Sequence, residues 1–181
     1  MEIDVKLEHA DYLTYQLFTA SMSKHIQKRR KIEWLLSTLF FLFLCFLFFL
    51  TQNRMLFFYF AALTILCLIF YPKYSRWRYK KHYSKYMKNV FSNNFGKIAH
   101  IKFTPDNIET SDNESELKIK YSQVKDVSEI TTHFFIHLNS GSSIIIPKKK
   151  SAEINHIQNY LKTLCKEKGL KYNTYPNWKW K

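Results

Sequence analysis

His133 and His137 stand four apart in a segment that reads as a strand. On a strand they share one face, the placement of two metal ligands or of an acid–base pair. No third ligand is legible beside them, so two ordinary strand histidines are expected. Asp112, Glu114 and Glu116 alternate like the oxygen ligands of a calcium loop, but Leu117 occupies the position where that loop needs glycine. A solvated hairpin turn is the better reading. Lys148-Lys149-Lys150 precedes a helical pattern and offers charge to a phosphate or a lipid headgroup, although a solvated loop accounts for it more simply. His82 sits in a run of cations. It is read as one more interfacial side chain.

Catalytic signatures are missing. The three glycines, Gly96, Gly141 and Gly169, allow neither a Walker A loop nor a dinucleotide fingerprint, and the zincin and nucleophile-elbow patterns are absent. Three cysteines, Cys45, Cys67 and Cys165, make no Cys-x-x-Cys pair and read as small apolar packing residues. The expectation is a non-enzymatic chain with no metal and no cofactor. An enzyme acting at an interface would need the fold to bring a nucleophile and a base together.

Two apolar blocks, 34–50 and 55–71, dominate the chain and flank the break Thr51-Gln52-Asn53-Arg54. Neither holds a charged residue, a histidine, a proline or a glycine. Each is 17 residues long, about 25 Å as a helix, the short end of what crosses a hydrocarbon core. The break permits little except reversal, so a two-helix transmembrane hairpin is expected. Lys24, Lys28, Arg29, Arg30 and Lys31 precede it, and Lys73, Arg76, Arg78, Lys80, Lys81, Lys85 and Lys88 follow it, against Arg54 alone in the turn. Basic flanks are retained in the cytoplasm, which puts both termini there in a multi-pass cell-membrane protein with two spans. Trp34, Tyr71, Tyr74 and Trp77 fall where an interfacial aromatic belt belongs.

The same segments explain the net charge of +14. Windows 24–33 and 73–88 hold twelve of the 28 basic residues and one of the 14 acidic ones, which leaves only +3 elsewhere. The excess suits an anionic inner leaflet, and no nucleic-acid-binding pattern accompanies it. The expected membrane-interface residues are Lys28, Arg29, Arg30, Lys31, Trp34, Lys73, Arg76, Trp77, Arg78, Lys80, Lys81, Trp178 and Trp180. The last two belong to a Tyr/Trp/Lys tail, 170–181, that suits headgroups, a groove of the soluble domain, or disorder.

Ile3, Val5 and Leu7 alternate with charged residues as a short strand, and helical spacing from Ala10 extends toward Ile26. Segment 74–91 reads as a helix along the interface. Beyond Asn94 the period is two, with strands expected at 97–104, 107–111, 116–121, 124–130, 133–138 and 143–147, separated by turn residues. Ser151 is a candidate helix cap, Ile154, Ile157, Leu161 and Leu164 form an apolar stripe, and Gly169 is the stop. The divisions are 1–33, an N-terminal strand and helix packing with the cytoplasmic domain; 34–71, the hairpin; 72–94, a juxtamembrane helix; 95–169, the soluble domain; and the tail. The fold class is an α+β membrane protein whose cytoplasmic part is an antiparallel, barrel-like, pleckstrin-homology-like (PH-like) domain with a C-terminal amphipathic helix. Strand 2–8 could pair at its edge.

The opening Glu2-Ile3-Asp4-Val5-Lys6-Leu7 through Asp11-Tyr12-Leu13, the hairpin exit Phe70-Tyr71-Pro72-Lys73-Tyr74 and the strand end Ile144-Ile145-Ile146-Pro147-Lys148 resemble the YcxB-like family of small bacterial membrane proteins. The resemblance covers residues 1 to about 168. It implies a membrane protein with a pleckstrin-homology-like cytoplasmic part, and it brings no catalytic residues. The expected function is a membrane-anchored binding module meeting lipids of the inner leaflet and an unidentified protein. The alternative is an immunity factor against a membrane-active peptide or toxin.

Overall fold

The structure is a computed structural model that describes residues 1–112, 115–150 and 154–181. In chain order the elements are β1 (Glu2–Lys6), α1 (His9–Met22), α2 (Lys24–Leu50), α3 (Arg54–Phe91), β2 (Ile98–Phe103), β3 (Asn107–Ser111), β4 (Glu116–Lys120), β5 (Val124–Ile130), β6 (His133–Leu138), β7 (Ser143–Pro147), α4 (Ile154–Glu167) and β8 (Lys171–Tyr175). They form a sheet unit, Met1–Tyr15 with Tyr86–Lys179, and a helical unit, Gln16–Lys85 with Trp180–Lys181.

The sheet unit holds two four-stranded sheets, ordered β1-β2-β3-β4 and β7-β6-β5-β8. The alternating pattern places the six later strands within a residue of expectation, and β1 pairs antiparallel with β2 from Glu2↔Lys102 to Lys6↔Ile98. One expectation is corrected. The sheets do not close into a barrel, because β5 has only two edges and β6 and β8 occupy both. The domain is mainly antiparallel, with one parallel pair. β8 runs parallel to β5, from Asp126↔Lys171 to Ile130↔Tyr175, after the chain crosses over through α4. The tail is therefore, over Lys171–Tyr175, an edge strand.

The core lies between the sheets and α4. Ile3, Val5, Ile101, Phe103, Ile108 and Ile119 face inward from the first sheet. Val124, Val127, Phe134, Ile136 and Ile146 face them from the second, and Ile157, Leu161, Leu164 and Cys165 close the gap from α4. β6 is buried on both faces, with His133 and Phe135 opposite the core side, which is why its sequence reads as an apolar run instead of alternating. The α4 stripe is seated as its spacing requires. Gly169, at φ +65°, ends the helix in the left-handed region, and Leu170 N–H donates to the Cys165 carbonyl at 2.8 Å. Ser151, the expected cap, lies outside the described residues.

In the helical unit α2 and α3 form a hairpin. Helix α1 stops at Met22, earlier than expected, because Ser23 turns extended (φ −73°, ψ 113°) and caps α2 through Ile26 N–H at 3.5 Å. The reversal uses Gln52 at φ 55°, with Gln52 N–H on the Phe49 carbonyl and Asn53 N–H on the Phe48 carbonyl, both at 3.2 Å. This is a Schellman closure without its usual glycine. Asn53 Oδ1 then accepts from Leu56 N–H at 3.2 Å and caps α3. α3 runs 38 residues through Pro72, so the second apolar block and the segment after it lie on one helix. Small polar side chains line the seam, with Thr64 Oγ1 3.7 Å from Cys45 Sγ and Thr38 Oγ1 4.0 Å from Cys67 Sγ. Phe48 stacks on Phe60 at 5.2 Å. Both helices are long and apolar enough to cross a membrane, and only 11% and 6% of their most apolar windows are buried.

Candidate functional site: polar networks on the second sheet

Glu129 sits on the core side of β5, in register with Phe134 on one edge and Thr174 on the other. Its side chain is buried, and every donor it needs arrives from a different element. Lys148, just after β7, donates to Oε1 at 2.6 Å, and Gln158 of α4 donates to Oε1 at 2.8 Å and Oε2 at 3.1 Å. The Tyr172 hydroxyl of β8 donates to Oε2 at 2.6 Å. The Lys148 ammonium also lies 4.6 Å over the Phe134 ring. Burial pushes the Glu129 carboxyl up, but the bonds from Lys148, Tyr172 and Gln158 and the Lys148 charge outweigh it and hold the group below its ordinary value. Burial and the same carboxylate push the Tyr172 phenol upward. This network joins β5, α4, β8 and the end of β7, and its ionised form is the stable one.

A second network occupies the opposite face of the sheet. Asp11, in the first turn of α1, accepts from Glu8 N–H through Oδ2 at 2.8 Å, half of a capping box. Its other oxygen lies 3.1 Å from His133 Nε2, and His133 Nδ1 is 2.8 Å from Thr132 Oγ1. His133 stacks on Phe135 with centroids 5.6 Å apart. Two rows along, past Phe135, Asp126, His137 and Ser143 are register neighbours across β5, β6 and β7. Ser143 Oγ is 2.9 Å from His137 Nδ1 and 2.9 Å from the Tyr15 hydroxyl, while His137 Nε2 faces Asp126 Oδ1 at 3.9 Å. Burial holds the His137 imidazole below its ordinary value; Asp126 opposes that effect and Lys125 adds to it. His137 Nδ1 and the Tyr15 hydroxyl share the Ser143 hydroxyl, so Tyr15 ties α1 to the sheet through it. The order carboxylate, imidazole, hydroxyl is that of an acyl-transfer centre. Tyr15 covers the hydroxyl, and the cleft of about 580 Å³ in this unit lies on the other sheet, lined by none of the four.

That cleft follows the outer face of the first sheet. Glu2, Lys102, Glu109 and Lys118 stand in one row across β1 to β4 with alternating charge, with contacts of 2.7 Å for Lys102 to Glu2 and Lys118 to Glu109. The next row carries Asp4 and His100, 2.6 Å apart, then Ser111 and Glu116.

The expected sites are distributed as follows. His133 and His137 share a face and are each held by a carboxylate, and among the described residues no group of three His, Cys, Asp or Glu could hold a metal. Asp112 accepts from Ser115 N–H at 2.7 Å and so closes its hairpin; Glu114 lies outside the described residues. Lys148, the first of the three lysines, is committed to Glu129 and so does not stand in a solvated loop as expected. Burial raises the Cys165 thiol to about 11. On the helical unit Glu33 takes Arg29 at 3.1 Å and also pairs with Arg78. Arg30 lies between the rings of Tyr79 and Trp180, at 5.7 and 4.9 Å, and donates to the Lys181 carbonyl at 2.7 Å. The Trp180 indole donates to the Arg76 carbonyl at 3.1 Å. Lys81 lies 4.9 Å over Trp77 and Lys73 5.7 Å over Phe70. Trp178 follows β8, its N–H on the Tyr175 carbonyl. Neither polar network was anticipated. The one signal for the first was a glutamate two residues from Val127, on the core side of a strand.

Two sheets closed by an amphipathic helix, joined in one chain to a pair of long apolar helices, make an α+β protein with a small sheet domain. Residues 103–158 match the family model described as YcxB-like protein, the family that the sequence resembles. The matched segment runs from the last residue of β2 into α4 and includes Glu129, Lys148 and Gln158 but not Tyr172. No curated protein and no solved structure matches the chain.

Proposed function

We propose that this chain is a membrane-anchored, non-enzymatic binding module at the inner face of a bacterial cytoplasmic membrane. The observation that carries the reading is the exposure of the helix pair. Leu36, Phe43, Phe49, Phe58 and Met55 are 57–85% exposed along helices that hold no internal charge between Trp34 and Leu50 or between Met55 and Tyr71. An apolar surface of that extent is stable in lipid and aggregates in water. The basic flanks set the orientation, with the Thr51–Arg54 turn outside and both termini in the cytoplasm. The cytoplasmic sheet unit, pleckstrin-homology-like in its sheets-plus-helix plan, offers the alternating charge rows of the first sheet as the recognition face for a polar protein surface.

The test has two arms. In membrane fractions the chain is expected to resist alkaline extraction, with a cysteine at position 53 labelled by an impermeant reagent in intact cells and one at position 179 labelled only after permeabilisation. Recovery in the soluble fraction overturns the anchor. A photo-crosslinker at Lys118 is expected to capture one protein repeatedly, and an absence of adducts overturns the recognition face.

A further inference from the structure

The cations of the helical unit divide into two sets. Arg29 and Arg78 are neutralised by Glu33, and the Arg30 guanidinium is used by Tyr79, Trp180 and the Lys181 carbonyl. Lys24, Lys28 and Lys31 are different. Among the described residues they have no ion pair and no hydrogen-bond acceptor, and at helical spacing they project from one side of α2, with Glu33 roughly opposite. Two clefts open beside them. One, of about 310 Å³, is lined by Lys24, Gln27, Lys28, Lys31, Ile32 and Leu35. The other, of about 280 Å³, lies over the seam where Lys31, Trp34, Tyr71, Pro72 and Ser75 meet, and Arg30 and Lys181 also line it. Gln27 and Lys31 line both, so the clefts adjoin at these two side chains. Each has cations on the side toward the α2 N-terminus and apolar side chains, Ile32 and Leu35 in one and Trp34 and Tyr71 in the other, on the side toward the apolar block.

We infer that this double cleft binds a phospholipid carrying two phosphodiester groups on one headgroup, of the cardiolipin type. Lys24 and Lys28 take one phosphate, Lys31 is shared, and the acyl chains follow the apolar rims. Three lysines with no counter-ion among the described residues, clustered at the head of an apolar block, attract an anionic headgroup. The lengthwise order of charge then apolar surface fits a lipid and not a soluble phosphate, and the sharing of Lys31 by the two adjoining clefts favours two linked phosphates over two separate lipids by effective concentration. The inference rests on the membrane reading and deepens it.

The full chain in detergent micelles is titrated with cardiolipin, with phosphatidylglycerol at twice the molar concentration to match phosphate, and with inorganic pyrophosphate, and adducts are read by native mass spectrometry. Cardiolipin is expected to bind as one adduct, about tenfold more tightly than phosphatidylglycerol. Lys28→Gln and Lys31→Gln are each expected to weaken it about fivefold, while Lys81→Gln, a cation paired with Trp77 on α3, leaves it unchanged. Equal binding of the two lipids, or a Lys31→Gln chain that behaves like Lys81→Gln, overturns the two-phosphate site. Pyrophosphate binding as tight as cardiolipin overturns the lipid. Circular dichroism of each variant distinguishes lost binding from lost fold. Micelle titration is independent of orientation, so its failure leaves the anchor standing, whereas soluble fractionation removes the anchor itself.

Discussion

Glu129 shows how much one buried carboxylate can organise. Its four hydrogen bonds come from Lys148, Gln158 and Tyr172, residues 19, 29 and 43 positions away. Removing one partner of such a pair strands the other charge away from water, at a cost of about 3–5 kcal/mol. Lys148→Met and Glu129→Gln should each destabilise the sheet unit strongly, and the double variant should lose markedly less than the sum, as a thermal unfolding cycle would show. The pH dependence has a definite sign. The folded Glu129 carboxyl lies below its ordinary value of 4.5, so its contribution is complete above that pH and is lost as pH falls through the depressed value. Glu129→Gln removes that acid limb from a plot of unfolding midpoint against pH. His137 behaves differently: its folded value lies below 6.5, so protons bind the unfolded chain first and stability declines as pH drops below 6.5. His137→Gln should flatten that region of the same plot.

Among the elements, β8 and the hairpin turn depart furthest from a local reading. Residues 171–175 carry Tyr, Lys and Asn in a pattern equally suited to a surface tail, and no apolar alternation marks a strand. They become one because β5 has a free edge and Tyr172 has a carboxylate to reach. Ending the chain after Gly169 should leave the β5 edge and Glu129 exposed, and sedimentation should then show association of chains through that edge. The turn is strained in a measurable way. Gln52 holds a left-handed conformation that a side chain adopts at about 1–2 kcal/mol. Gln52→Gly should relieve roughly 1 kcal/mol or less, and Gln52→Val should cost more than the wild-type residue, both read as shifts in denaturing-detergent unfolding midpoint.

Across the whole molecule, the polarity of each segment was legible before any contact was known. The apolar blocks, their basic flanks, the period-two strands and the α4 stripe are local properties, because burial repeats with the geometry of the helix or strand that carries it. So is the attribution of most of the +14 charge to two short windows. Tertiary structure decided which edges pair, and hence that two open sheets form instead of a barrel. It also decided that Lys148 serves Glu129 and that His137, Ser143 and Tyr15 meet. Among the described residues it left Lys24, Lys28 and Lys31 without a counter-ion, while Arg29, Arg30 and Arg78 are engaged. Those outcomes depend on residues brought together from distant parts of the chain, and spacing along a sequence carries no record of which strand edge, or which buried charge, will be the neighbour.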